Sequence, residues 1–86
     1  MSSDRENLIQ QQLEAALQPS ALKIIDDSHL HAGHGAQGGH YTVHIIAEVF
    51  EGKSLIQRHR LVYDALQDLM AGEIHALSIQ AKTPTE

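Results

Sequence analysis

The chain has 86 residues, enough for one compact domain, and a domain of this size buries only about 60% of its unfolded-chain surface, so its core must be lean. With 42% hydrophobic and 20% charged residues the composition is that of a globular protein, and the net charge of −5 argues against strong non-specific attraction to a phosphate backbone. The absence of cysteine excludes disulfides, a thiolate nucleophile and any metal site built from the chain's own sulfur ligands.

Ser3 and Glu6 have the spacing of a capping box, so a first helix is expected to begin there. Ile9, Leu13, Ala16 and Leu17 fall on one helical face, and Pro19 marks the end. Residues 22–28 read as a short strand. Residues 29–39, with four glycines and the histidines His29, His31 and His34, read as a flexible loop too glycine-rich for regular structure. Residues 41–50 alternate: Tyr41, Val43, Ile45, Ala47 and Val49 are apolar or small, while Thr42, His44 and Glu48 intervene, as a half-buried strand requires.

Glu51, Gly52 and Lys53 supply a turn. Ser54 and Gln57 give a second capping-box spacing ahead of Leu55, Val62, Leu66 and Leu69, so a second helix is expected, stopping near Gly72. Residues 74–81 are short and apolar enough for a buried strand, and Pro84 lies in a polar tail, residues 82–86. The predicted order α-β-β-α-β, with a right-handed crossover to the last strand, makes a single two-layer α+β domain over residues 1–86 with a three-stranded mixed sheet.

Seven histidines against two tyrosines and one phenylalanine are an excess suited to metal ligation or pH sensing, and equally consistent with no special role. His59 shares the stripe of Leu55, Val62 and Leu66, which reads as a packed core histidine, whereas His44 is expected on the outer face of its strand with His40 at the same parity. Lys53, Arg58 and Arg60 form the only basic cluster. Its plain reading is a solvated helix face, and the sharper one a docking surface for an acidic partner or nucleic acid. No P-loop glycine motif or nucleophile-elbow serine is present, so catalysis by this chain alone is not expected. The polar start and the lack of a bilayer-length apolar run make a cytoplasmic, non-membrane location the expectation.

Phe50, Glu51, Gly52 and Lys53, running into Leu55, Ile56, Gln57, Arg58, His59, Arg60, Leu61, Val62 and Tyr63, and then Ile74, His75, Ala76 and Leu77, resemble the signature of the BolA family. Ser28, His31 and the His40 and Tyr41 pair stand at the family's separations around its variable loop, and the resemblance spans about residues 13–84. It implies a fold like a type II KH domain without the glycine-rich nucleic-acid-clamping loop. It further implies association with a monothiol glutaredoxin through a bridged [2Fe-2S] cluster completed by glutathione. The family's ligand before the last strand corresponds to His75. The loop ligand is a cysteine or a histidine, and with no cysteine here it falls on His31, with His34 as the alternative and His29 third. Arg58, Arg60, Lys53 and Tyr63 would then shape the partner-facing surface.

Imidazole can replace thiolate on one iron of such a cluster, as in Rieske centres. Two other readings stand beside this one. The second helix with its turn can be taken as a helix-turn-helix-like element for DNA, a weak binder with so few basic residues unless a homodimer doubles the footprint. The histidines His29, His31, His34 and His40 can also be taken as a free-standing chelator of zinc, nickel or copper.

Overall fold

The computed structural model describes residues 4–27, 39–72 and 74–86, and of His75 the backbone. Helix α1, Asp4–Leu17, carries Asp4 and Glu6 in its first turn, where their charge complements the amino-terminal end of the helix dipole. Ile9, Leu13 and Leu17 are buried at i, i+4 spacing. Ala16, expected on the same face, is exposed, because the buried face is a single line of residues and Ala16 falls beside it. The helix closes with Gln18 N–H donating to Glu14 C=O, and Gln18 turns left-handed, φ 48°, immediately before Pro19.

Strands β1, Ala21–Asp26, β2, Gly39–Ile46, and β3, Ile74–Lys82, form one mixed sheet in the order β1-β2-β3, antiparallel between β1 and β2 and parallel between β2 and β3. Along β2 the burial alternates strictly. Tyr41, Val43 and Ile45 face the helices, and His40, Thr42, His44 and Ile46 are half-buried on the opposite side, which no helix among the described residues covers. His44 and His40 thus share the outer face, as their parity requires.

The expected strand over residues 41–50 is interrupted. The ladder continues one residue past β2, where Ala47 N–H donates to Lys82 C=O, and a 3₁₀ turn at Glu48–Phe50 follows. The turn shifts the parity by one, so Phe50 enters the core with no exposed surface while Val49 is 41% exposed.

Helix α2, Leu55–Ala65, begins at a complete capping box: Gln57 N–H donates to Ser54 Oγ at 3.2 Å and Ser54 N–H to Gln57 Oε1 at 2.9 Å. The helical axis breaks at Leu66, and a short helix α3, Gln67–Met70, runs on toward Gly72. The buried stripe is Arg58, Val62, Leu66 and Leu69. Leu55, expected at the head of that stripe, is 66% exposed, and His59 is only half-buried. Both stripes pass through Val62 and Leu66, and the rotation of α2 about its axis favours the one that starts at Arg58. Phe50, Ile9, Leu13, Ile45, Leu66, Ile74, Val43 and Val62 form the fully buried centre between the helices and the sheet.

Candidate functional site

His75 stands at an irregularity of the sheet. Gly39 pairs with Ile74 and His40 pairs with Ala76, so β3 has one residue more than β2 at this point, and that residue is His75. Such a bulge breaks the regular alternation of a strand, and it is a recurrent device for re-aiming one side chain next to a functional site.

The same end of the sheet anchors both ends of the segment 28–38. Asp27 N–H donates to His40 C=O at 2.7 Å, and Thr42 Oγ1 donates to Asp27 Oδ2. Gly39, the first residue of β2, is buried, and a Cβ there would collide with the ring of Tyr41 two residues on, so only glycine lets that ring lie beside the base of the segment. His29, His31 and His34 lie outside the described residues. What is fixed is that the segment carrying them leaves from Asp27 and returns at Gly39, whose register partner Ile74 adjoins His75. Among the described residues no group of three His, Cys, Asp or Glu side chains is close enough to hold a metal ion. The chain contains no cysteine, so any soft-metal centre here draws its thiolates from another molecule.

The basic cluster of α2 is dispersed. Arg58, expected on an exposed docking face, is 8% exposed and occupies a core position of the helix. Four of its five N–H groups are engaged: Nε donates to Lys53 C=O at 3.0 Å, Nη1 to Ala81 C=O at 3.1 Å, and Nη1 and Nη2 form a two-pronged pair with the Glu86 carboxylate at 2.7 and 3.0 Å. Glu86 Oε1 also accepts from Thr83 N–H at 2.9 Å. The bonds from Arg58, and next the one from Thr83, hold the Glu86 carboxyl down at about 2, and the same contact with Glu86 raises the guanidinium.

Arg58 is therefore a structural cation that ties α2 to the end of β3. Residue 58 has helical spacing from Val62, Leu66 and Leu69, but a charged residue joins that stripe only with its partner, which is 28 residues away and has no local signature. Lys53 and Arg60 are exposed, and Tyr63, 40% exposed, donates its hydroxyl to Leu77 C=O at 3.4 Å. These three remain as surface groups on α2 and its preceding turn.

Comparison with known proteins places the geometry in a family. The model of the BolA-like protein family matches residues 13–86. The chain is 46% identical over 86 residues to SufE-like protein 1, chloroplastic/mitochondrial, of Arabidopsis thaliana, covering 91% of this chain and 23% of that protein. It is 44% identical over 81 residues to BolA-like protein 1 of Mus musculus, covering 94% of this chain and 59% of that one. The chain thus spans less than two thirds of the length of these relatives. Among solved structures, the BolA domain of SufE1 from Arabidopsis thaliana superposes with a TM-score of 0.90 at 45% identity, covering 99% of this chain and 98% of that one. BolA1 from the same organism gives 0.86 at 39% identity, with the same coverage. No helix among the described residues is long and apolar enough to cross a membrane.

Proposed function

We propose, for a chain that belongs to the BolA-like protein family, that it is a non-catalytic cytoplasmic adaptor. It binds a monothiol glutaredoxin and shares a [2Fe-2S] cluster with it for iron–sulfur trafficking or iron-linked regulation. The observation that carries this reading is the convergence at one end of the sheet: His75 is the extra residue of the β2–β3 ladder, and the histidine-bearing segment 28–38 is rooted beside it. His31 is four residues from the anchored Asp27, a tether of at most about 14 Å.

The donor set suits such cargo. Two neutral imidazoles, His75 and His31, with His34 as the alternative loop ligand, can satisfy one iron. The other must be held by sulfur, which this cysteine-free chain lacks and a glutaredoxin cysteine with glutathione supplies. Lys53, Arg60 and Tyr63 offer the exposed surface for the partner, with Arg58 holding α2 in place beneath them. Because a protonated imidazole cannot ligate, sharing weakens as pH falls through the histidine titration range.

The test is co-purification of this chain with cluster-loaded glutaredoxin, followed by iron and acid-labile sulfide analysis. One cluster per heterodimer, lost in His75→Ala and in His31→Ala, is the expected result. Retention of the cluster-containing heterodimer in both variants would sink the reading.

DNA binding is the second reading, and it is weakened by the engagement of Arg58, which leaves Lys53 and Arg60 as the exposed cations of that element. A steep loss of affinity with salt, absent from a protein–protein complex of this kind, would bring it forward.

A further inference from the structure

A groove of about 510 Å³ runs between the first turns of α2 and the outer edge of β3, lined by Leu55, Arg58, His59, Ile79, Ala81 and Lys82 among others. It lies toward the far end of β3 from His75, about 13 Å along the strand from His75 to Ile79, and is separate from the candidate ligand site.

Among the described residues β3 is the last strand of the sheet, with β2 on one side only. Alternate residues of such a strand turn both backbone groups away from the sheet. The hydrogen bonds fix which ones. Lys82 C=O accepts from Ala47 N–H on the β2 side, whereas Ala81 C=O and Leu77 C=O accept from Arg58 Nη1 and Tyr63 OH on the outer side. Ile79, midway between them and at the same parity, turns its N–H and C=O outward into the groove, and among the described residues neither has a partner there.

The walls specify the rest of a ligand. Leu55, 66% exposed, and Ile79 form an apolar wall. Arg58 and Glu86 neutralise each other, and Lys82, whose charge also acts on Glu86, stands with His59 and Gln80 on the polar flank as the one formal charge in excess. In a chain of net charge −5 this is a local reversal of sign.

We propose that this edge receives an extended, acidic segment of a partner protein, which pairs with β3 at Ile79 alone, between the two carbonyls that Tyr63 and Arg58 already hold. The segment's main chain pairs with the N–H and C=O of Ile79, an apolar side chain lies on Leu55 and Ile79, and a flanking carboxylate meets Lys82 or His59. A nucleic acid offers no main-chain amide to a strand edge. A second copy of this chain brings another net −5 and is the less favoured occupant.

The test uses the ¹⁵N-labelled full chain and a capped pentapeptide of alternating glutamate and valine, with a lysine-for-glutamate peptide as control, read by amide shifts and hydrogen exchange. The Ile79 amide exchanges freely in the isolated chain, and free peptide at ten times its Kd slows it about tenfold. The lysine peptide, Leu55→Asp and Lys82→Glu each weaken binding by about tenfold or more. Leu55 is exposed and aspartate is favourable at the start of a helix, so unchanged thermal unfolding is expected of Leu55→Asp, whereas Lys82→Glu also sets a like charge near Glu86 and is compared with Lys82→Gln, which only removes the cation.

Unaltered Ile79 exchange at saturating peptide, or equal binding of the lysine peptide, overturns the proposal. Protection of Ile79 that grows with protein concentration in the absence of peptide also overturns it, in favour of self-association.

Discussion

Replacing Phe50 by alanine, with Val49→Ala as the matched control, tests the turn that separates β2 from α2. Phe50 is wholly enclosed between the helices and the sheet, whereas Val49 is 41% exposed. Removing a buried aromatic ring costs about 3–5 kcal/mol, while trimming a valine in such a position stays within about 0.5 kcal/mol. A domain of 86 residues has about 4–13 kcal/mol of total stability, so the loss at Phe50 is a large fraction of the whole. Phe50→Leu, a milder change that keeps the site apolar, guards against a variant that does not fold. In urea titrations followed by far-ultraviolet circular dichroism, a slope of about 1.5 kcal/mol/M converts 3 kcal/mol into a midpoint lowered by about 2 M. The midpoints should fall in the order Val49→Ala, Phe50→Leu, Phe50→Ala. A greater loss at Val49 than at Phe50 would mean that the strand alternation continues through residue 49, and the 3₁₀ turn would be refuted.

Glu86 has a depressed folded-state value of about 2 against the usual 4.5. Its contribution is therefore complete above 4.5 and is lost as pH falls toward 2, so the wild-type chain should lose stability over that window more steeply than Glu86→Gln in thermal scans. Ser54→Ala removes the side-chain acceptor at the start of α2 and should lower stability by about 1 kcal/mol, with Ser54→Asp close to wild type, as read from urea midpoints. Gly39→Ala drives a methyl group into the Tyr41 ring and should cost about 1–3 kcal/mol. The double variant Gly39→Ala, Tyr41→Leu should be less destabilised than the sum of its parts. Additive losses would show that the two residues do not meet.

The elements with a strong local signature were legible in the sequence. The Ser54 and Gln57 capping box, the alternation from Tyr41 to Ile45 and the i, i+4 line of Ile9, Leu13 and Leu17 all stand as the spacing predicts. What was not legible depended on contacts distant in sequence. Val49 continues the apolar alternation on paper, and only the packing of Phe50 against both layers decides that the chain turns before it. The rotation of α2 is set by Arg58 finding acceptors on Ala81 and Glu86, which a helical wheel cannot anticipate because a charged residue in the core stripe reads as an error until its partners are known. The candidate ligands divide in the same way. His75 was identified by resemblance, and its place as the extra residue of the β2–β3 ladder emerges only from the register, while His31 and His34 lie outside the described residues.

The most direct measurement of the central claim is pulsed electron paramagnetic resonance of the reduced cluster, in the heterodimer of this chain with a monothiol glutaredoxin, with only this chain's histidines labelled with ¹⁵N. Two strongly coupled ¹⁵N nuclei, one of them lost in His75→Ala, are the predicted result. A reduced cluster with no ¹⁵N coupling from this chain would contradict it.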